Sequence, residues 1–479
     1  MIKRILSVCM AASIFFCAVS FGAYASPASA VSNVMSEAQW DTYWETVKDD
    51  RSVMALTPGS SEDELNFTWS TEYTEILPKV RISKSSDMNG YREFSGAASP
   101  ADLTYKVNRV TVTGLEENTT YYYSYGTNGS FSTPIVYKTH SANSFKTLHI
   151  GDIQCGTENE TGTVIKTNAY NWQKTLGTAL DKEGDISFIL SAGDQTNSGN
   201  VISEWMGTLS PAALRSLPMA TCIGNHDMKG RTYQKFVNNP NQFDSLTSLI
   251  YGRDYWFRYG DVLFMSFNAT NVNFFDHYNF MEEAILKNQD ATWRVAMLHQ
   301  DFYGTGGHAQ GSDSALLTAE FGSFFDKFEI DIALFGHEHI YGRSYHMFEN
   351  AVVQDNVFSS GAAVDPKGTI YFTANSASGK NRVPDEPYSF FWLDKTVAQE
   401  ASIYSVLEFS ENSFSMNAYS VDSGEKVDEY KIIKNDTSYT PVSANDNALN
   451  TDILQRVLGD YYILIKLMSV LYNMAKLFI

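Results

Sequence analysis

Residues 331–339 of the chain read DIALFGHEH, an apolar strand that runs through a glycine into two histidines. His337 and His339 lie two residues apart on an extended segment, so their side chains point the same way and each can bind a different metal ion. In an open α/β sheet the binding crevice lies at the carboxyl ends of the strands. The stretch therefore predicts an α/β domain with a metal site at that edge.

Four further apolar strands end in residues that bind metals. In chain order they lead to Asp152, Asp194, Asn225 and His299. Two neighbouring cations need a bridging carboxylate, for which Asp194 is the natural candidate, and the neutral nitrogen and oxygen ligands around it suit divalent metals. A Gly-Asp turn or a histidine after a strand is ordinary by itself. Five such strand ends in one chain predict a joint metal site.

The rest of the chain divides into regions of different pattern. Its 479 residues predict two or three domains. Residues 52–139 read as short alternating strands with turn residues between them, which indicates a small antiparallel sandwich. From residue 146 onward, single apolar strands are followed by polar or helical stretches, as in an α/β domain. We predict helices at Tyr170–Lys182, Asp276–Lys287 and Asp313–Phe328, and a hairpin over Asp254–Phe267 that turns at Gly260.

Composition and charge exclude several classes of protein. Lys+Arg 35 against Asp+Glu 55 gives a net charge of −20, which repels nucleic acids and argues against a nucleic-acid scaffold role. Aromatic residues make up 14% of the chain, an enrichment that favours strands. We therefore expect a β-rich globular protein.

Both ends of the chain have features of their own. Lys3 and Arg4 precede the apolar run Ile5–Val19 and small-residue sites, the pattern of a secretory signal peptide over residues 1–30. After residue 446 apolar residues recur at helical spacing, which predicts an amphipathic helix that docks on the protein or contacts a membrane or cell surface. Removal of the signal leaves Cys155 and Cys222, and the sequence does not decide whether they form a disulfide.

The ordered set Gly-Asp, Gly-Asp, Gly-Asn-His-Asp, His and Gly-His-Glu-His resembles the calcineurin-like metallophosphoesterase superfamily over Lys146–Thr373. It is most similar to the purple acid phosphatases, because residues 110–115 and 120–123 resemble their N-terminal domain. The resemblance implies an α/β four-layer sandwich preceded by an all-β, fibronectin type III-like sandwich domain. The domains expected are a signal peptide at 1–30, the fibronectin-like domain at 31–142, the catalytic domain at 143–436, and a linker with the amphipathic helix at 437–479.

The resemblance also implies roles for individual residues. His226 would face the phosphate, Asp227 would orient His226 through its ring nitrogen, and His308 would serve the substrate or its leaving group. The first metal would take Asp152, Asp194 and His339, and the second would take Asp194, Asn225, His299 and His337.

Two positions depart from the family pattern. Purple acid phosphatases have a tyrosine three residues after the bridging aspartate, where this chain has Asn197. The expected consequence is a site without the purple charge-transfer colour and with less reason to hold ferric iron. Many superfamily members have a histidine two residues after the first aspartate, where this chain has Gln154, which can coordinate through its carbonyl oxygen or hold a water.

These features predict a secreted, acid phosphatase-like hydrolase of phosphate monoesters. Two divalent ions of iron, manganese or zinc would be its cofactors, a metal-bound hydroxide the nucleophile and a small phosphorylated molecule the substrate. A phosphodiesterase or nucleotide pyrophosphatase on the same metal core is one alternative. A catalytically inert surface-binding protein is the alternative from another class.

Overall fold

The structure is a computed structural model that describes residues 32–72, 77–127, 129–156, 162–230, 232–245, 248, 252–353, 358–359 and 361–442. The predicted signal peptide and the predicted C-terminal helix lie outside these residues. Among the described residues, no helix is both long enough and apolar enough to cross a membrane.

Strands β1 to β9 form the N-terminal part of the described chain. They span Ala55–Pro58 (β1), Leu65–Glu72 (β2), Pro78–Ser83 (β3), Arg92–Ser95 (β4), Ala97–Pro100 (β5), Tyr105–Val112 (β6), Thr120–Thr127 (β7), Ser130–Phe131 (β8) and Ile135–Lys138 (β9).

Seventeen further described strands follow. They span Ser144–Ile150 (β10), Ile186–Ser191 (β11), Met219–Thr221 (β12), Tyr255–Tyr259 (β13), Val262–Ser266 (β14), Trp293–Met297 (β15), Ile332–Phe335 (β16), Tyr341–Ser344 (β17), Met347–Phe348 (β18), Ala351–Val352 (β19), Phe358–Ser359 (β20), Ala362–Val364 (β21), Ile370–Thr373 (β22), Leu393–Val397 (β23), Ile403–Ser410 (β24), Ser413–Ser420 (β25) and Lys426–Ile433 (β26).

The described helices flank these strands. They span Glu37–Val47 (α1), Gly162–Glu183 (α2), Ile202–Leu209 (α3), Phe274–Lys287 (α4), Ser312–Leu317 (α5) and Ser323–Lys327 (α6). Short 3-10 turns lie at Ala212–Arg215, Tyr233–Lys235 and Gly307–Gln310, and a π-helical turn at Thr318–Gly322 joins α5 to α6.

The N-terminal strands form two small antiparallel sheets. One has the order β1-β2-β6-β5, and the other has the order β4-β3-β7-β8 with β9 paired to β7. Side chains such as Phe67, Trp69, Val80 and Tyr123 fill the space between them. Strand β3 alternates buried and partly exposed residues at its start, as expected where one face of a sheet meets a core. The predicted all-β sandwich is confirmed.

Two larger sheets form the second part of the chain. Their orders are β12-β11-β10-β24-β25-β26-β21-β20 and β13-β14-β15-β16-β22-β17-β23. A buried cluster with Phe145, Phe188, Phe264, Phe409 and Phe414 lies between them, so the aromatic enrichment of the sequence is concentrated where sheet packs on sheet.

Helices cover the outer faces of both sheets. Trp40, Trp172 and Trp205 from α1, α2 and α3 share a buried cluster with Leu148 and Ile189 of the first sheet. Phe280 of α4 belongs to a second buried cluster, which packs on the other sheet. The order helix, sheet, sheet, helix confirms the predicted four-layer sandwich.

Local predictions had mixed outcomes. The hairpin is confirmed as β13 and β14. The single helix predicted over Asp313–Phe328 is three short pieces, because the π-helical turn interrupts its hydrogen bonding. Helix α1 was not predicted, since only Trp40 and Trp44 of its eleven residues are buried, too few for an apolar periodicity. Its capping box at Ser36 and Gln39 was the available signal.

The ends of the predicted catalytic domain make contacts across the expected boundaries. Trp40 of α1 packs on Tyr170 of α2, although residue 40 falls in the stretch expected to belong to the N-terminal domain. Tyr439, in the expected linker, donates its hydroxyl to the Thr292 carbonyl and lies under the guanidinium of Arg294. The domain boundaries themselves remain predictions.

Candidate metal centre

Five of the predicted strand ends meet between the two large sheets. Strands β10, β11 and β12 are parallel neighbours in one sheet, and β15 and β16 are parallel neighbours in the other. Parallel strands present their carboxyl ends at the same edge, so the residues that follow them come together. The site therefore takes side chains from both sheets.

Asp152, Asp194 and His299 form the buried centre of this site. Each offers one ligand atom, and these atoms all lie within 4.8 Å of one another. Nε2 of His299 is 3.2 Å from Oδ2 of Asp194 and 4.0 Å from Oδ1 of Asp152. Two carboxylates and an imidazole at such distances form a donor set suited to a divalent transition metal.

The other three predicted ligands surround that centre. Nε2 of His299 lies 3.1 Å from Oδ1 of Asn225 and 3.2 Å from Nδ1 of His337. Nε2 of His339 lies 3.3 Å from Oδ1 of Asp152. The structure thus brings all six predicted ligands into one connected cluster, and their roles as ligands remain predictions.

Hydrogen bonds to main-chain carbonyls orient two of the imidazoles. Nδ1 of His299 donates to the Ala192 carbonyl at 2.8 Å, and Nδ1 of His339 donates to the Lys380 carbonyl at 2.5 Å. A donating Nδ1 leaves the lone pair on Nε2, which faces the carboxylates in both cases. The two rings are therefore held in the tautomer that binds a metal.

The donor atoms of the cluster do not fully satisfy one another by hydrogen bonding, and a cation would complete their interactions. Oδ1 of Asp152 is buried and accepts no hydrogen bond of good geometry among the described residues, where Nε2 of His339 lies 3.3 Å away. An unpartnered buried carboxylate oxygen is costly in a folded protein. Ring nitrogens of His299 and His337 also face each other at 3.2 Å. A cation beside Oδ1 of Asp152 would remove this cost, so the residues present fit the metals that the sequence predicts.

Charged groups within the cluster shift the pKa values of its side chains. Burial opposes ionisation of Asp194, but the imidazoles of His299 and His226 outweigh it and hold the pKa of that carboxyl below its usual range. Burial likewise disfavours the charged form of His299, but Asp194 prevails and raises the pKa of the imidazole to about 9. The two side chains thus form a buried ion pair, and a cation bound there would displace the proton from Nε2 of His299.

Four of the predicted ligands, together with Gln154, have left-handed backbone conformations. Asp152, Gln154, Asp194, His337 and His339 have φ angles of 50°, 41°, 50°, 76° and 57°. Non-glycine residues rarely adopt this left-handed region, and each such residue costs about 1–3 kcal/mol. The surrounding structure therefore forces these side chains inward, as is common at functional sites.

Glycines before the ligands are required by space. A Cβ added at Gly193 would lie 2.5 Å from Nδ1 of His299, and one added at Gly224 would lie 2.0 Å from Oδ1 of Asp194. Gly193 also has a φ of 88°, which favours glycine. The Gly-Asp and Gly-Asn pairs are thus not mere turns, since larger residues would push the ligand loops apart.

His226 lies at the open side of the cluster. Its backbone N–H donates to Oδ1 of Asp194 at 2.9 Å, and its Nε2 lies 4.0 Å from Oδ2 of the same carboxylate. Nδ1 of His226 donates to the Asn197 carbonyl at 2.7 Å. The ring is partly exposed, so Nε2 is available to a bound molecule.

The predicted contact between Asp227 and the ring of His226 is wrong. The buried carboxylate of Asp227 accepts hydrogen bonds from the backbone N–H groups of Gln195, Thr196 and Gly224 at 2.9, 3.2 and 3.1 Å. Burial, together with the nearby Asp194, raises the pKa of Asp227 to about 7. Asp227 thus links the loop after β11 to the loop after β12. The hydrogen bond from the ring of His226 that was expected to go to Asp227 is accepted by the Asn197 carbonyl instead.

His308 stands at the rim on the 3-10 turn Gly307–Gln310. Its ring centroid is 4.1 Å from that of His337, and Nη1 of Arg382 is 3.4 Å from its Nε2. Partial burial, and then Arg382, lower the pKa of His308. The structure therefore brings this exposed histidine to the cluster, as the sequence predicted.

Sequence reasoning missed Glu338, which lies between the two histidines of the quoted stretch. Its side chain is fully buried, and Oε1 accepts the N–H of Ala309 at 2.8 Å. Burial raises its pKa, against hydrogen bonds from the backbone of Gly306, His308 and Ala309. Glu338 thus holds the loop that carries His308. A charged residue between two predicted ligands was the signal in the sequence.

A loop after β22 was also missed. The Lys380 carbonyl accepts from His339, and the Lys380 ammonium donates to the Gly156 carbonyl at 2.5 Å. The backbone N–H of Arg382 donates to the His339 carbonyl at 3.1 Å. Burial lowers the pKa of Lys380. Strand β22 is a parallel neighbour of β16, so its carboxyl end lies at the same edge of the sheet. The position of this loop after an apolar strand was therefore the signal in the sequence.

The two departures from the family pattern also lie in the site. Nε2 of Gln154 is 3.4 Å from Oδ2 of Asp194, so its amide is directed at the central carboxylate. The side-chain amide of Asn197 faces Oγ of Ser198 at 3.5 Å.

Cys155 and Cys222 are both buried free thiols, which answers the open question of their disulfide.

Comparison with known proteins agrees with this geometry. Residues 145–341 match the calcineurin-like phosphoesterase family, and residues 52–147 match the purple acid phosphatase N-terminal domain. Purple acid phosphatase 22 of Arabidopsis thaliana is 22% identical over 360 residues, 69% of this chain and 74% of that protein. Acid phosphatase type 7 of Mus musculus is 26% identical over 227 residues, 43% of this chain and 49% of that protein.

Solved structures share the fold. A purple acid phosphatase from yellow lupin (Lupinus luteus) seeds superposes with a TM-score of 0.64 at 17% identity, covering 82% of this chain and 77% of that one. A structure of PhoD superposes with a TM-score of 0.52 at 12% identity, covering 89% and 99% of the two chains. The resemblance seen in the sequence is confirmed: the chain contains a calcineurin-like phosphoesterase domain, preceded by an N-terminal domain of the purple acid phosphatase type.

Proposed function

We propose that this metal-dependent phosphoesterase hydrolyses phosphate monoesters with two divalent ions. The observation that carries the proposal is the connected cluster of six donor residues around Asp194, with two further histidines at its open side. The calcineurin-like phosphoesterase domain supports hydrolysis of phosphate esters. The number of ions and the preference for monoesters are our inference.

The two ions would share Asp194 and differ in their other ligands. Asp152, Asp194 and His339 would hold the first, and Asp194, Asn225, His299 and His337 would hold the second. Bound divalent ions lower the pKa of water and offset negative charge on phosphoryl oxygens, which is the chemistry this reaction needs. The carbonyls of Ala192 and Lys380 keep two of the imidazoles in the tautomer that can bind.

The chain's own histidines would act on the substrate. His226, oriented by the Asn197 carbonyl, presents Nε2 to the phosphoryl oxygens and stabilises charge that develops there. His308 would donate a hydrogen bond or proton to the leaving oxygen, and Glu338 keeps its loop in place. Both histidines are at least partly exposed, as groups that meet a substrate must be.

Metal analysis combined with turnover tests the proposal. We expect the purified protein, loaded with zinc, manganese or ferrous iron, to bind two ions per chain and to hydrolyse p-nitrophenyl phosphate faster than bis(p-nitrophenyl) phosphate. Asp194→Asn should lose activity and retain one ion or none. Asp185→Asn is the matched control, because that carboxylate is 60% exposed and lies outside the cluster.

The rival functions give different results. Faster turnover of the bis-ester would favour a phosphodiesterase. Two bound ions without turnover of any ester would favour an inert binding protein. Two tight ions and full activity in Asp194→Asn would overturn the site itself.

The role of His308 has its own test. General acid help is worth roughly 10²- to 10⁴-fold and matters most for a poor leaving group. His308→Ala should therefore slow hydrolysis of an alkyl phosphate far more than that of p-nitrophenyl phosphate. Equal large losses would mean that His308 binds the phosphate, and small losses on both would mean that it has no part in the reaction.

Export is a separate proposal. The basic residues Lys3 and Arg4 followed by the apolar run Ile5–Val19 support secretion. N-terminal sequencing of the protein from its native source should give a mature start after residue 25 or after residue 30, where small-residue sites fall. A mature protein that retains Lys3 would contradict it.

A further inference from the structure

Three aromatic rings form a column beside His308. Residues 385–392 read DEPYSFFW, with Tyr388, Phe390 and Trp392 at alternate positions. The rings of Tyr388 and Phe390 lie 6.0 Å apart at 10°, and those of Phe390 and Trp392 lie 4.5 Å apart at 7°. We call these three residues the aromatic column, since their planes are almost parallel.

The inner end of the column is fixed to the protein. Nε1 of Trp392 donates to the Gly304 carbonyl at 3.0 Å, and the Trp392 carbonyl accepts from the N–H of Tyr345 at 2.8 Å. The ring of Tyr303 meets that of Trp392 edge-on at 5.8 Å. Trp392 is thus a rigid base attached to the loop that leads to His308.

The outer end of the column reaches the site. A Cβ added at Gly307, the neighbour of His308, would lie 3.2 Å from the hydroxyl oxygen of Tyr388. Tyr388 and Phe390 are both partly exposed. The hydroxyl end of the column therefore lies beside the residue that precedes the histidine we assign to the leaving group.

A positive charge lies on the same side. Nη1 of Arg382 is 3.4 Å from Nε2 of His308 and 3.9 Å from Oε2 of the buried Glu338, and the Arg382 side chain is 48% exposed. In a chain with a net charge of −20, a guanidinium at the rim is a local attraction for an anionic ester. Charge and aromatic surface thus occur together where the departing part of a substrate would lie.

We propose that the aromatic column is a subsite for the leaving group and that the substrate is a nucleoside 5′-phosphate. This inference rests on the proposed function, because it assumes that the leaving group passes His308. The Tyr388 hydroxyl lies beside Gly307, whereas the ring of His308 lies 4.1 Å from that of the predicted ligand His337. A ring that stacks on Tyr388 therefore needs a spacer such as ribose between itself and phosphorus. A nucleobase on a sugar phosphate has both the planar face and the spacer.

Two substrates that differ only in the base test the proposal. Adenosine 5′-monophosphate and ribose 5-phosphate share the sugar and the phosphate. Stacking of a base on an aromatic side chain corresponds to roughly a ten- to hundredfold effect. We expect kcat/KM for the nucleotide to exceed that for the sugar phosphate by about this factor.

Variants of the column should remove that preference. We expect the ratio of the two kcat/KM values to fall towards one in Tyr388→Ala and further in a Tyr388→Ala, Phe390→Ala double variant. Phe391→Ala is the matched control, because that ring is 63% exposed and meets Trp392 at 79°, outside the column. It should keep the wild-type ratio.

Failure of this proposal and failure of the proposed function give different results. Equal kcat/KM values for the two substrates, or a ratio that survives in both column variants, would overturn the subsite while hydrolysis itself stands. A protein that hydrolyses no phosphate ester would overturn the proposed function. In that case calorimetry decides on the subsite, since adenosine should bind wild type, and bind the double variant at least tenfold more weakly, while ribose binds neither. Thermal unfolding of each variant controls for loss of fold.

Discussion

Nδ1 of His226 donates to the main-chain carbonyl of Asn197 across 2.7 Å. Asn197 follows Asp194 by three residues, so one loop both provides the central carboxylate and orients the histidine opposite it. The bond assigns the proton to Nδ1 and leaves Nε2 facing the site. Because the acceptor is a backbone oxygen, the side chain of residue 197 is not needed for this contact.

Replacement of that side chain should therefore matter little. We predict that Asn197→Ala keeps kcat/KM within about threefold of wild type, equivalent to about 0.6 kcal/mol. Steady-state kinetics with p-nitrophenyl phosphate measure it. A loss of a hundredfold or more would mean that the Asn197 side chain acts on substrate or metal.

Replacement of Asp227 should have a much larger effect than replacement of Asn197, because it should destabilise the fold around the metal site. Its carboxylate accepts from the N–H groups of Gln195, Thr196 and Gly224, and a truncation leaves these buried donors without a partner. Each such group costs about 1–3 kcal/mol. We predict that Asp227→Ala lowers the melting temperature and the bound metal together, as measured by calorimetry and elemental analysis. A variant with unchanged stability and metal but low activity would restore a direct role at His226.

Gly224→Ala tests how closely the ligand loops approach each other. The added Cβ would lie 2.0 Å from Oδ1 and 2.4 Å from the backbone nitrogen of Asp194, so the loop must move. We predict a metal affinity lower by on the order of ten- to a hundredfold, as for other residues that support metal ligands. Gly162→Ala is the control, since a Cβ there meets nothing within 4 Å. Equal affinities in both variants would show that the loops are not close-packed.

Most of what could be predicted from the sequence came from the residues that follow apolar strands. A ligand after an apolar strand is visible because the strand fixes its position, and the order of Asp152, Asp194 and His299 therefore gave the fold and the centre together. What the sequence could not give was the division of these residues between two sheets, since pairing of β10 with β24 and of β16 with β22 is long-range.

Backbone contacts were the other limit. The main-chain carbonyls of Asn197 and Lys380 orient His226 and His339. Every residue has such a carbonyl, so the residue type does not indicate which one makes the contact. For the same reason the sequence does not reveal that the partners of Asp227 are backbone amides, and the resemblance implies the ring of His226 instead. The sequence analysis assigned no role to Glu338, because burial of a carboxylate depends on the loop folded over it.

The colour of the protein tests the departure at residue 197. We predict that the purified protein shows no purple charge-transfer band, because an asparagine lacks the phenolate that produces one. A visible absorption spectrum of the iron-loaded protein measures it, with Asn197→Tyr as the companion variant. A purple wild type would mean that another tyrosine reaches the first metal.

His277 and Asp254 give a prediction about stability that is independent of the metal site. Nδ1 of His277 lies 2.5 Å from Oδ2 of Asp254, and Nε2 lies 2.7 Å from the Asn271 carbonyl. Both ring nitrogens face acceptors, an arrangement that only the protonated imidazole satisfies. Burial opposes the charge, but Asp254 outweighs it and raises the pKa of His277 above the usual 6.5.

The sign of the effect follows from that shift. A raised pKa in the folded state stabilises the protein fully at pH values below the unfolded pKa, and the contribution is lost as the pH rises through the folded pKa. We predict that the free energy of unfolding of wild type exceeds that of His277→Gln by the largest amount near pH 6 and that the difference shrinks towards pH 9. Urea unfolding of both proteins across this range measures it. A difference that stays constant or grows with pH would mean that the buried imidazole is neutral.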